Sequence, residues 1–177
     1  MQDDSCCTSA AMMSTRRRFL TLAGLGGGAA LLGLVPHVAR AAGDVDSVVL
    51  SCMDYRLMDD VGTYLDKRGL KDNYDHLILA GASLGAVTAK YPHWGQAFFE
   101  HLGLAIKLHH VHRAILIDHR DCGAYRLIFG KDTKGDEEKT LHATQLHRLA
   151  KLIHAKHPEL AVETYLMDLD GTVETIA

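Results

Sequence analysis

Short unbroken apolar runs alternate along the chain with longer stretches in which apolar residues recur every three or four positions. The first run, Asp46 to Ser51, reads V-V-L between polar ends, the pattern of a strand buried on both faces. It stops at Cys52. Leu57, Val61, Tyr64 and Leu65 then recur at helical spacing, and Gly69 is placed as a C-terminal stop. A second strand is predicted over Asp75 to Ala80, followed by the turn Gly81-Ala82-Ser83-Leu84-Gly85. His93 to His109 reads as a helix with Trp94, Phe98, Leu102, Ala105 and Ile106 on one face. A third strand, Arg113 to Asp118, runs straight into His119. Leu146, Leu149 and Ile153 mark a helix over Leu141 to His157, which Pro158 ends, and Ala161 to Asp168 reads as the last strand.

Strands alternating with helices predict an α/β fold, with right-handed crossovers, a parallel β-sheet core and helices on both faces. Ligands of such sheets gather at the carboxyl ends of the strands. Cys52 follows the first strand and His119 the third, which puts both where a site is expected.

The N-terminal part breaks the alternation. Arg16 to Arg18, an apolar run from Phe19 to Val35 and the small-residue exit Ala39-Arg40-Ala41 are the three parts of an export signal. Thr15-Arg16-Arg17-Arg18-Phe19-Leu20 resembles a twin-arginine signal, whose pathway carries proteins already folded. The run is rich in Gly and Ala and falls short of the roughly 20 strongly apolar residues of a spanning helix, so cleavage rather than a stable membrane anchor is expected. Residues 1–41 are accordingly read as the signal, 42–177 as a single domain, and the location as periplasmic or otherwise exported. Cleavage would remove Cys6 and Cys7 and leave Cys52 and Cys122 as the only cysteines.

The full chain has 177 residues, 47% hydrophobic and 23% charged, which leaves room for one domain besides the signal. A formal net charge of -3 supplies no basic field, which argues against nucleic acid and anionic lipid as partners.

Two motifs carry the chemistry. Cys52-Met53-Asp54-Tyr55-Arg56 is C-x-D-x-R, and His119-Arg120-Asp121-Cys122 is H-x-x-C. Cys52, His119 and Cys122 supply two thiolates and an imidazole, a donor set suited to tetrahedral Zn2+ with a fourth position free for water. The competing reading is a Cys52–Cys122 disulfide, which an oxidising compartment permits. It leaves the spacing of Asp54, Arg56 and His119 unexplained. Asp54 and Arg56 taken alone could be a surface ion pair worth about 0 to 1 kcal/mol. His109, His110 and His112 are read as a polar turn before a strand in preference to a second metal site, and the glycine-rich turn as a βα connection in preference to an anion cradle.

In these motifs the chain resembles the β-class carbonic anhydrases, in which one strand ends in C-x-D-x-R and a later one in H-x-x-C. The resemblance extends from about Val48 to Ile176, since Tyr165 to Gly171 is similar to that family's last strand and turn. It implies a zinc enzyme that hydrates carbon dioxide to bicarbonate, with Asp54 accepting a hydrogen bond from zinc-bound hydroxide and Arg56 holding Asp54. Alternatively, Asp54 would occupy the fourth zinc position in a resting form. Close variants of such a site hydrolyse carbonyl sulfide or carbon disulfide, and a non-catalytic zinc protein on the same fold remains open. Two thiolates make the bound water less acidic than imidazoles would, which gives an anionic acceptor at Asp54 an electrostatic use. The resemblance also implies a homodimer or larger. Family members usually wrap a partner with N-terminal helices, whereas only Gly43 to Ser47 precedes the first strand of the mature chain. Trp94, Phe98 and Phe99 form an arc wide enough to meet another surface, or to lie beneath the loop before it. Gln96 is a candidate neutral hydrogen-bond donor beside the substrate.

Replacing Arg16 and Arg17 by Lys is expected to stop export, and mass spectrometry of the exported wild-type protein to find Ala42 at its N-terminus. Undiminished export together with retention of Met1 would contradict the signal.

Overall fold

The computed structural model describes residues 43–177, so the signal reading of residues 1–41 lies outside the described residues. Residues 43–177 lie within one compact unit. Its sheet has five strands: β1 (Ser47–Cys52), β2 (Tyr74–Leu79), β3 (Arg113–His119), β4 (Ala161–Met167) and β5 (Val173–Thr175), in the order β2-β1-β3-β4-β5. All neighbours are parallel except β4 and β5.

The unbroken apolar runs follow from burial on both faces. Val48 and Leu50 of β1 and Ala114 and Leu116 of β3 point into one core layer, while Val49, Ile115 and Ile117 point into the other. Helix α1 (Met58–Lys67) covers the second layer through Val61 and Leu65. The first layer is covered by α2 (Ser83–Val87), α3 (Pro92–His109), α4 (Gly123–Phe129) and α5 (Gly135–Lys156), which bury Leu84, Leu102, Tyr125, Leu149 and Ile153 among others. The α/β reading with helices on both faces is the architecture found.

Several elements differ from the sequence reading. Helix α5 starts at Gly135 rather than Leu141; its first turn holds Asp136, Glu137 and Glu138, which suit the positive end of the helix dipole but carry no apolar signal. The turn after β2 contains the short helix α2, and α4 begins at the residue after Cys122. Strand β5 spans only three residues and was not expected. It returns antiparallel through a turn in which Gly171 takes a φ of +80°. Phe98 lies in the core, Phe99 packs partly against it, and Trp94 stacks on Tyr91 of the preceding loop at 4.2 Å, so part of the aromatic arc is covered from within the chain. Among the described residues no helix is long and apolar enough to cross a membrane.

Helix α3 supplies an internal control on packing. A Cβ at Gly95 would stand 2.5 Å from the carbonyl oxygen of Ala86, whereas one at Gly103 would meet nothing within 4 Å. Gly95→Ala is expected to lower stability by about 1–3 kcal/mol and Gly103→Ala to raise it by up to about 1 kcal/mol. Chemical denaturation of the two variants checks the sign of each.

Candidate metal centre

Strands β1 and β3 are adjacent and parallel, so their carboxyl ends bring Cys52 and His119 together. After β3 the chain turns through Asp121, whose φ of 55° is left-handed, and returns Cys122 as the residue capping α4. The two sulfurs and an imidazole nitrogen lie within 4.8 Å of one another. Cys52 and Cys122 are free thiols with sulfurs 3.9 Å apart, far beyond the roughly 2.05 Å of a disulfide bond.

His119 Nδ1 lies 2.8 Å from the carbonyl oxygen of Arg120. A carbonyl only accepts, so Nδ1 carries the proton and Nε2 presents a lone pair. That Nε2 is buried without a hydrogen-bond partner, a condition that costs about 1–3 kcal/mol. A cation bound among the three atoms would remove this cost. Zinc–sulfur bonds of about 2.3 Å at a tetrahedral angle place two sulfurs roughly 3.8 Å apart, close to the spacing found. The residues present thus fit a zinc ion. The Cys122 thiol beside Cys52 pulls the Cys52 thiol well below its ordinary range; burial opposes this, and the N–H of Gly81, donating to Cys52 Sγ at 3.3 Å, reinforces it. Cys122, facing that sulfur and buried, is pushed up. Metal binding would then release the proton the pair retains.

Asp54 and Arg56 sit on the 3-10 turn Tyr55–Leu57 that begins after β1, with Asp54 as its cap. The guanidinium grips the carboxylate with two bonds, Nε to Oδ1 at 3.0 Å and Nη2 to Oδ2 at 2.8 Å. Asp54 Oδ2 lies 3.9 Å from His119 Nε2, so the clamped carboxylate borders the metal centre. Sequence reasoning missed the other side of the clamp. Arg56 Nη1 donates to Asp121 Oδ2 at 2.8 Å and Nη2 to the Asp121 carbonyl at 3.0 Å, while Arg126 holds Asp121 Oδ1 at 2.7 Å. In H-x-x-C Asp121 is only a spacer, and nothing in the spacing marks it as the partner of a residue 65 positions away.

Cys52, Asp54 and Cys122 open onto a pocket of about 510 Å³ whose other walls are Met53, Tyr55, Ala80, Gly123, Ala124 and Leu127. Met53, Tyr55 and Leu127 are exposed at 63%, 86% and 65%, so the rim is apolar and open to solvent. Gln96 is elsewhere: it lines a different groove with Phe99 and Lys156, and its Nε2 donates to Glu100. The neutral donor proposed there is not beside this pocket. His109, His110 and His112 pair separately with Asp75, Asp44 and Asp46 and form no shared metal cluster. The glycine-rich turn does hold an anion, but one supplied by the chain itself: Ser83 N and Oγ donate to the Asp118 carboxylate at 2.9 and 2.6 Å.

The Arg56 clamp holds the Asp54 carboxyl down at about 2. Because the folded value is depressed, the pair stabilises the fold above the ordinary value of 3.8, and the contribution is lost as pH falls from there through about 2. In Arg56→Gln the carboxyl is expected to titrate nearer the ordinary value of 3.8. Carbon-13 NMR of the Asp54 carboxyl checks this, and an unchanged titration would remove the clamp from the account.

The family model described as "Putative carbonic anhydrase" matches residues 43–177. An uncharacterized protein of Rickettsia conorii is 35% identical over 139 residues, covering 77% of this chain and 75% of its own. One from Rickettsia bellii is also 35% identical, over 77% and 85% of the two chains. Among solved structures, β-carbonic anhydrase isoform I of Trichomonas vaginalis aligns with a TM-score of 0.53 at 17% identity, over 96% of this chain and 98% of that one. The tetrameric β-carbonic anhydrases of Sordaria macrospora align with a TM-score of 0.53 at 9% identity, over 93% and 97%. The chain belongs to that carbonic anhydrase family, and its fold is that of the β-carbonic anhydrases.

Proposed function

We propose that the protein is a zinc-dependent carbonic anhydrase, hydrating carbon dioxide reversibly to bicarbonate. The observation that carries this reading is the convergence of two cysteine sulfurs and an imidazole nitrogen within 4.8 Å beside a carboxylate that a guanidinium holds ionised. Cys52, His119 and Cys122 would hold the metal. Bound zinc supplies Lewis acidity, bringing the pKa of water from about 15.7 toward 7.

The chain's own residues do the rest. Asp54, ionised and therefore an acceptor only, takes a hydrogen bond from the attacking water and orients it. Arg56 uses both nitrogens of its fork to keep that carboxylate from turning, and Asp121 keeps Arg56 from turning. Met53, Tyr55, Ala124 and Leu127 give the pocket an apolar wall, which suits a neutral linear substrate better than an anion and so favours release of bicarbonate. Carbonyl sulfide and carbon disulfide have the same shape and fit the same wall, and belong in the assay beside carbon dioxide. The exposed rim of Met53, Tyr55 and Leu127 supports assembly with a second copy, as do the tetrameric enzymes of the same fold. Export through the signal ending at Ala41 would put the enzyme outside the cytoplasm.

Asp54→Asn is expected to keep zinc and to lose hydration activity by roughly 10- to 100-fold, whereas Cys122→Ser loses the metal as well. Stopped-flow hydration with metal analysis checks both. Wild-type turnover in Asp54→Asn, or full zinc occupancy in Cys122→Ser, would contradict the assignment.

A further inference from the structure

Beneath the centre lies a buried polar cluster that the proposed chemistry does not use. Asp118, the residue before His119, is 1% exposed and points into the apolar layer shared by α2, α4 and α5. Its carboxylate accepts from Ser83 N at 2.9 Å, Ser83 Oγ at 2.6 Å, His142 Nδ1 at 3.0 Å and the hydroxyl of Tyr125. A carboxylate taken from water into such a layer is costly unless it is hydrogen-bonded, and here four donors surround it, one on Oδ1 and three on Oδ2. The cluster is not a nucleophilic triad. Ser83 Oγ donates to Asp118 rather than to an imidazole, and Ser83 is 0% exposed.

The donors come from three elements, and each touches the metal centre at a different point. Ser83 opens α2 two residues after Gly81, whose N–H donates to Cys52 Sγ. Tyr125 lies in the first turn of α4, which Cys122 caps. His142 lies on α5, the helix that also carries Glu138, and Glu138 Oε1 accepts from the N–H of Asp121 at 2.6 Å. One buried charge thus ties the thiolate's hydrogen-bond donor, the second cysteine and the H-x-x-C turn to the end of the strand that carries the histidine.

We propose that Asp118 is a positioning residue of the metal centre: bound by Ser83, Tyr125 and His142, it fixes Cys52, His119 and Cys122 in a metal-ready arrangement before the ion arrives. The proposal rests on the reading of these three residues as metal ligands. Preorganisation of this kind raises affinity because the ligands need not be ordered on binding.

The test uses the purified protein, with zinc competed against a chelator and cobalt(II) substituted as a spectroscopic probe. Asp118→Asn keeps the side-chain size but turns an amide toward groups that donate, and is expected to weaken zinc by roughly 10- to 100-fold. It is also expected to shift the cobalt ligand-field and thiolate charge-transfer bands. Tyr125→Phe and Ser83→Ala each remove one donor and are expected to do the same to a smaller degree; they carry the comparison should Asp118→Asn not fold. Folded variants with lower melting temperatures but wild-type zinc affinity and cobalt spectra would overturn the positioning role and leave the ligands standing. A wild-type protein that binds neither ion would overturn both.

Discussion

The parallel pairing of β1 with β3 is the constraint on which the site depends. Adjacent parallel strands end on the same edge of the sheet, and the chain leaves each of them toward a helix packed on one face or the other. Cys52 and His119 meet at that edge because Val48 to Leu50 and Ala114 to Ile117 are buried on both sides, and a one-residue slip would send the side chains fitted to one core layer into the other. Everything else in the centre is a short excursion from these two ends: a 3-10 turn for Asp54 and Arg56, and a left-handed turn for Cys122.

Charge is arranged around these ends in alternation. Asp54, Arg56, Asp121 and Arg126 form a continuous chain of ion pairs across the rim, at distances of 2.7 to 2.8 Å. Each member is partly open to solvent, and a single exposed pair is worth little. Their joint effect is geometric, because a guanidinium gripped from two sides presents the Asp54 carboxylate in one orientation. The buried counterpart is Asp118, whose donors come from the helices that line the other side of the centre. His119 lies between these two anchored groups with its Nε2 buried and without a hydrogen-bond partner, beside the two cysteine sulfurs.

The sequence made the parallel strands legible because burial on both faces removes polar residues from them, and it made the ligands legible because Cys and His at strand ends combine two independent signals. Helix α4 was hidden because it begins at the second cysteine's own motif and is short. The first turns of α5 were hidden because they are acidic and carry no apolar period. Strand β5, at the sheet edge, needs only three residues and has no buried face to reveal it. Asp118 read as the last residue of a strand and Asp121 as a spacer; their roles depend on contacts with residues remote in sequence, and local spacing holds no trace of such contacts. The Gly81–Gly85 turn reads as a βα connection, yet through Ser83 it also holds an anion, the chain's own Asp118 carboxylate.

X-ray absorption at the zinc edge of the purified protein tests the central claim most directly. Two sulfur scatterers at about 2.3 Å with nitrogen or oxygen at about 2.0–2.1 Å are expected of a centre built from Cys52, His119 and Cys122. Metal-free protein with Cys52 and Cys122 joined as a disulfide, or a zinc shell without sulfur, would contradict it.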